Sequence, residues 1–168
     1  MSDEHATGAF RKIINPGGHT CFGCSGENAS GLGMEFHTDG SVVVSRLAVP
    51  PHLCGWNDMA HGGVISTIMD EIMSWAAMRL LGRFILTRSI TVEFIRPVMV
   101  GREVRAEGRV RERVSEREAV MEGLLYDCEG TLCARATGRF ALFKKEDLAR
   151  KGLFDAAMLE GFESVFTS

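Results

Sequence analysis

The chain of 168 residues has almost no charge excess, with 19 Lys and Arg against 22 Asp and Glu and a formal net charge of -3. It offers no basic patch to a nucleic acid or an anionic membrane, because its arginines alternate with acids, as in Arg102-Glu103-Val104-Arg105 and Arg111-Glu112-Arg113. That pattern reads as a solvated strand face. An uncharged apolar run is also lacking. The longest mostly apolar segment, residues 64–81, carries Asp70 and Glu71 in its middle, and burying both carboxylates in lipid is costly. No signal-peptide core follows Met1-Ser2-Asp3-Glu4-His5. Five cysteines is an odd count and nothing marks the chain as secreted, so reduced thiols are expected. These absences lead us to expect a cytoplasmic protein with no nucleic-acid or membrane partner. What is present is an ordinary globular composition, 45% apolar, of a length that suits one domain.

Residues 1–20 are polar and end near the turn cluster Asn15-Pro16-Gly17-Gly18, which reads as a loosely held arm. Met34-Glu35-Phe36-His37 alternates as a strand does, Asp39-Gly40 signals a hairpin turn, and residues 42–49 read as a second strand stopped by Pro50-Pro51. The loop 52–60 leads into a helix over 62–81, closed by Gly82. That helix is apolar nearly all round, so other structure should wrap it. The rest is β-rich, with strands over 87–96, 104–110, 119–127 and 132–142, joined by short connections and expected to pair as an antiparallel meander. Gly108, Ala134, Ala136 and Gly138 on the inward face would let sheet and helix approach closely. The architecture that follows is α+β, with about five or six antiparallel strands curled around one long central helix. After Lys144 the pattern turns helical, with Leu148, Leu153, Met158, Phe162 and Phe166 as packing positions of an appended tail.

Asp70 most needs a reason. It lies two turns into the apolar helix among Ile65, Ile68, Met69, Ile72 and Met73, where an unpartnered carboxylate is expensive. On charge alone it could equally share a solvent stripe with Ser66, Thr67, Glu71 and Ser74. His61-Gly62-Gly63 stands immediately before the helix. Two glycines allow close approach by a ligand, and the first N–H groups of a helix lack internal partners at its positive end. Such donors suit a carbonyl oxygen that gains charge during acyl transfer. A carboxylate some two turns along the same helix could then reach the acyl carbon or a water beside it, a minimal acyl-hydrolysis site. His61 could also be a capping or packing residue.

The segment His61-Gly62-Gly63-Val64-Ile65-Ser66-Thr67-Ile68-Met69-Asp70-Glu71 resembles the central-helix signature of hotdog-fold thioesterases. It is most similar to the phenylacetate-degradation-type branch of the 4-hydroxybenzoyl-CoA thioesterase superfamily. Phe94-Ile95-Arg96-Pro97 with Gly101 resembles that family's aromatic-x-x-Pro strand end, Asp127-x-x-Gly130-x-x-x-Ala134 its last hairpin, and Cys21-Phe22-Gly23-Cys24 with Asn28 and Gly31-Leu32 the start of one subgroup. The resemblance covers residues 21–143 and divides the chain into an arm 1–20, a hotdog domain 21–143 and a helical tail 144–168. It implies acyl-CoA hydrolysis to a free acid and CoA, without a cofactor, in a homodimer or dimer of dimers with sites at the subunit interface. It implies a catalytic set of Asp70, Gly62 and His61, with Gly63, Asn57 and Thr87 binding substrate. Thr87 falls near a strand hydroxyl that helps hold water in some members. Many members carry Asn six residues before the motif histidine. Here that position is Gly55, and Asn57 could supply an amide from a loop of different shape.

No metal is expected. Cys21-x-x-Cys24 and His52-x-Cys54 could supply four zinc ligands, but a single Cys-x-x-Cys also reads as a turn with two packing thiols. Glu71 points about 100° away from Asp70 around the helix and reads as a partner for an arginine. Arg79, Arg83, Arg88, Arg96 and Arg102 are candidates to meet the phosphates of coenzyme A. A non-catalytic acyl-CoA-binding or regulatory protein on the same fold is the alternative.

Overall fold

The structure, a computed structural model, describes residues 9–168. Its strands are β1 (Arg11–Lys12), β2 (His37–Thr38), β3 (Val43–Ala48), β4 (Phe84–Phe94), β5 (Glu103–Ser115), β6 (Glu118–Asp127) and β7 (Leu132–Phe143). A central helix α1 (Gly62–Leu81) separates β3 from β4, and α2 (Lys145–Lys151) and α3 (Ala156–Glu163) follow β7. All neighbours pair antiparallel in the order β1-β2-β3-β5-β6-β7-β4. This is the expected sheet curled around a helix, with seven strands rather than five or six.

The ends of α1 are set by its sequence. His61 is extended (φ -62°, ψ 139°) and its Nδ1 accepts the Gly63 N–H at 2.9 Å, filling one of the orphan donors of the first turn. Gly82 takes the left-handed conformation (φ 59°) that ends the helix without a Cβ penalty. Between them Ile68, Met69, Ile72, Met73, Ala76 and Ala77 are fully buried. The sheet reaches the helix where it carries no side chain: a Cβ on Gly108 would overlap the Ile72 carbonyl oxygen, and one on Gly123 would stand 3.2 Å from Met69 Cε.

The strands are not a continuous meander. β5, β6 and β7 are one, but β4 pairs with β7 and β5 pairs with β3. The connection after β4 therefore crosses the molecule. Ile95 and Arg96 N–H bind the Cys133 carbonyl, while Val100 N–H binds Asp58 O and Gly101 N–H binds Val49 O. Covering α1 from both sides places β4 at one edge and leaves the edge of β3 free for β5. β4 begins at Phe84, three residues earlier than its apolar alternation suggested, because Phe84, Ile85 and Leu86 pair with the end of β7.

Met34 and Phe36 are each 1% exposed, but the regular ladder there is only His37–Thr38. The N-terminal segment is more firmly held than a loose arm within its described part, 9–20. Arg11 and Lys12 pair with β2, and Ile13 is buried in the core. The C-terminal tail is not an appendage either. Leu148 and Leu159 pack with Phe84, Val165 enters the main core, and Arg79 donates to the Phe166 carbonyl at 2.9 Å. Leu153, expected to pack, is 63% exposed.

Candidate functional site

Asp70 and Thr87 are brought together. Thr87 Oγ1 donates to Asp70 Oδ1 at 2.9 Å. α1 supplies the carboxylate and the start of β4 supplies the hydroxyl, at a point where β4 bulges between Thr87 and Ser89. Such a bulge re-aims side chains beside it. Asp70 is partly buried, and burial pushes its pKa up from the ordinary carboxylate value, with the Thr87 hydrogen bond pulling down and the neighbouring Cys21 charge pushing up. The second carboxylate oxygen is left for another partner.

The pair lies on the wall of an open cavity of about 840 Å³. Its lining is mainly apolar, with Trp75, Met78, Phe84, Leu148, Phe154 and Phe162 prominent. Half of those side chains come from the tail. The sequence marks Leu148 and Phe162 only as packing positions and does not mark Phe154, and their place in a cavity wall was not legible because a tail folding back over Phe84 leaves no local signal.

His61, Gly62 and Gly63 form the capped start of α1. The Gly63 N–H is engaged by His61 Nδ1, whereas the Gly62 N–H has no hydrogen-bond partner among the described residues. A Cβ on Gly62 would stand 3.6 Å from the Phe94 ring, so β4 passes directly in front of this end of the helix. Gly62 and Asp70 are eight residues apart, about 12 Å along the helix at 1.5 Å per residue. One carbonyl group cannot touch both in a single chain. The expectation that donor and carboxylate of one helix serve one acyl carbon is therefore corrected by helix geometry.

Asn57 is exposed at the tip of a tight loop in which Gly55 N–H binds Met59 O (2.8 Å) and Met59 N–H binds Trp56 O (3.0 Å). It takes positive φ (49°), which asparagine tolerates. No contact joins it to Asp70. Gly55 packs against His61, where a Cβ would lie 3.3 Å from His61 Cα, so the loop's shape here favours glycine at the position where an asparagine was sought.

Beside Asp70, Glu71 faces not an arginine but Cys21 and Cys24. Cys21 Sγ and Glu71 Oε1 are 3.3 Å apart, and the donor atoms of all three residues lie within 4.8 Å of one another. Cys21 is held low, at about 4, first by the hydrogen bond from Cys24, which is itself pushed up by that bond and by burial. Glu71 is pushed up to about 8, mainly by burial. His52 and Cys54 are exposed in the loop before α1 and do not join this group. Of the arginines, Arg79 caps the tail, Arg83 meets Glu116 at 3.7 Å and Arg88 meets Glu118 at 3.5 Å. Arg96 and Arg102 line a separate, smaller cavity with Asp127 and Glu129.

A sheet wrapped around a single long helix, with a carboxylate inside that helix and a His-Gly-Gly cap before it, defines a hotdog-fold protein. Residues 57–134 match the family model described as the thioesterase superfamily. A Thermoplasma volcanium protein, whose name assigns it provisionally to the esterases, is 34% identical over 88 residues, 52% of this chain. The match spans 65% of that relative's length. Solved structures share the fold. The E. coli PaaI protein from the phenylacetic acid degradation operon matches with TM-score 0.60 at 19% identity, over 67% of this chain and 81% of its own. A hypothetical thioesterase protein of Streptococcus pneumoniae, solved with coenzyme A, matches with TM-score 0.57 at 19% identity, over 61% and 79%. Among the described residues no helix is long and apolar enough to cross a membrane.

Proposed function

We propose that the protein is an acyl-CoA thioesterase, hydrolysing the thioester to a free acid and CoA, with Asp70 as its catalytic carboxylate. The observation that carries this reading is the Asp70–Thr87 pair on the wall of a large apolar cavity. The match of residues 57–134 to the thioesterase superfamily model and the coenzyme A in a structure of the same fold support it.

In this reading the Thr87 hydroxyl fixes one oxygen of Asp70, and the other oxygen faces the reacting carbon or a water beside it. Asp70 either takes a proton from that water, whose oxygen attacks the thioester carbon, and passes the proton to the leaving sulfur, or attacks the carbon itself to form a mixed anhydride that water then hydrolyses to the free acid. The C–S bond breaks, and the sulfur leaves as the thiol of CoA after gaining a proton. Burial raises the basicity of Asp70 towards that task. The carbonyl oxygen, gaining charge, takes the free Gly62 N–H. Because that donor is about 12 Å from Asp70 on its own helix, it comes from a second copy of the chain. The edge strand β4 and the residue after it offer a surface for that copy: Leu86, Phe94 and Ile95 are 37%, 54% and 41% exposed, and Phe94 lies against Gly62. His61 then acts as a positioning residue that holds the first turn, with Gly63 N–H as its anchor. In this reading Asn57, exposed on the loop before α1, offers an amide to the substrate. The apolar cavity takes the acyl chain.

The test is thiol release from a panel of short, long, branched and aromatic acyl-CoAs by wild type and Asp70→Asn. Wild type is expected to turn over at least one class, and the variant to lose at least about a hundredfold in kcat. Equal activity in folded Asp70→Asn contradicts the site, and tight acyl-CoA binding without turnover by wild type would favour the binding-protein alternative.

A further inference from the structure

We infer that Cys21, Cys24 and Glu71 form a zinc(II) site in the cavity wall, distinct from the Asp70–Thr87 pair. The inference does not depend on the thioesterase reading. It starts from a convergence: two thiols from one turn and a carboxylate fifty residues away on α1 place their donor atoms within 4.8 Å of one another, with Cys21 Sγ 3.3 Å from Glu71 Oε1. A tetrahedral zinc with bonds of about 2.3 Å to sulfur and about 2.0–2.2 Å to oxygen holds its donors roughly 3.4–3.8 Å apart. Small side-chain rotations bring the three donors to that spacing.

The backbone around the thiols is fixed on every side. Ser25 N–H bonds to the Cys21 carbonyl (3.0 Å), closing the turn, and Leu32 and Met34 N–H bind the carbonyls of Phe22 (2.7 Å) and Gly23 (3.0 Å). Asn15 Nδ2 donates to the Cys24 carbonyl at 2.6 Å. The turn is pressed against the carboxylate: a Cβ on Gly23 would stand 2.5 Å from Glu71 Cδ, so only glycine lets the two thiols approach the helix this closely. A turn that merely buried two small side chains would have no need of that contact.

Charge points the same way. Among the described residues no Lys, Arg or His pairs with Glu71. Three groups that are anionic when deprotonated therefore share one partly buried spot with no cation, an arrangement that costs free energy unless protons or a metal neutralise it. Two thiolates with one carboxylate favour zinc over magnesium or calcium, which seek oxygen donors. Three protein ligands leave a fourth position, and all three residues line the cavity, so that position is open to water or to a donor atom of a bound ligand. The ion would clamp the 19–25 segment onto α1 and so fix the wall next to Asp70.

The test uses the full chain purified under reducing conditions without chelator. Metal content is measured by mass spectrometry, then the stripped protein is titrated with zinc against a chromophoric chelator and, separately, with cobalt(II). Expected are one zinc per chain and a thiolate-to-cobalt charge-transfer band. Cys21→Ser and Cys24→Ser should abolish the band. Glu71→Gln, which keeps the side chain's shape and guards against misfolding of the cysteine variants, should weaken zinc binding at least about tenfold. Cys54→Ser and His52→Ala should bind as wild type. Uptake of less than about a tenth of an equivalent by reduced wild type, or a loss of binding in the Cys54 or His52 variants equal to that in Glu71→Gln, overturns the site. So does a Cys21–Cys24 disulfide in the intact mass whose reduction restores no metal uptake.

Discussion

At Asp70 a single carboxylate has been carried into an apolar helix and given one hydroxyl, not a cation. The need for a partner was legible in the sequence, since an acid among Ile68, Met69, Ile72 and Met73 is costly there. The identity of the partner beside it was not: Glu71 meets Cys21, fifty positions away, and no local pattern announces a contact of that range. His61 belongs to the same scale. Its Nδ1 accepts the Gly63 N–H, so its contribution is that of a cap. His61→Ala is expected to destabilise the fold by about 0.5–2 kcal/mol in urea melts, while His61→Asn, which restores a capping oxygen, recovers most of that loss. Activity should track the cap. A His61→Asn variant as stable as wild type but inactive would show that the imidazole itself takes part in the chemistry.

Among the elements, α1 was the most legible, because a long apolar run bounded by a His-Gly-Gly start and a left-handed Gly82 leaves few alternatives. The pairing of β4 was not, because strand order depends on which edge remains open after the helix has crossed, and β4 closes on β7 instead of running on to β5. The tail shows the same limit. Its helical character could be read, but its destination could not, and α3 seats Leu159 (2% exposed) against Phe84 and Leu148. Leu159→Ala should cost about 2–5 kcal/mol by denaturant titration, the range for truncating a buried leucine. A cost below about 0.5 kcal/mol, the scale of surface substitutions, would mean that the tail is an appendage after all.

For the whole molecule, the proposed reading gives one chain two half-sites. The free Gly62 N–H and the Asp70 carboxylate sit about 12 Å apart on one straight helix, and β4, which passes both, is an edge strand with exposed apolar residues. An unpaired, apolar edge is a template for another chain. The protein is expected to sediment as a dimer or a dimer of dimers, and Phe94→Asp to shift it towards monomer with loss of thiol release. A monomeric wild type with full activity would remove the shared site.

The most direct measurement mixes two defective subunits. Gly62 is the first residue of α1, where proline is well tolerated, and it follows an extended His61, so Gly62→Pro deletes the donor N–H without breaking the helix. Gly62→Pro and Asp70→Asn should each be inactive alone. Unfolded and refolded together, they should regain about a quarter of wild-type thiol release, because half of randomly paired two-fold dimers are mixed and each carries one intact site. Full activity in Gly62→Pro alone, or a mixture as inactive as its parts while dimeric and folded, would contradict a thioesterase site built from Asp70 of one chain and Gly62 of another.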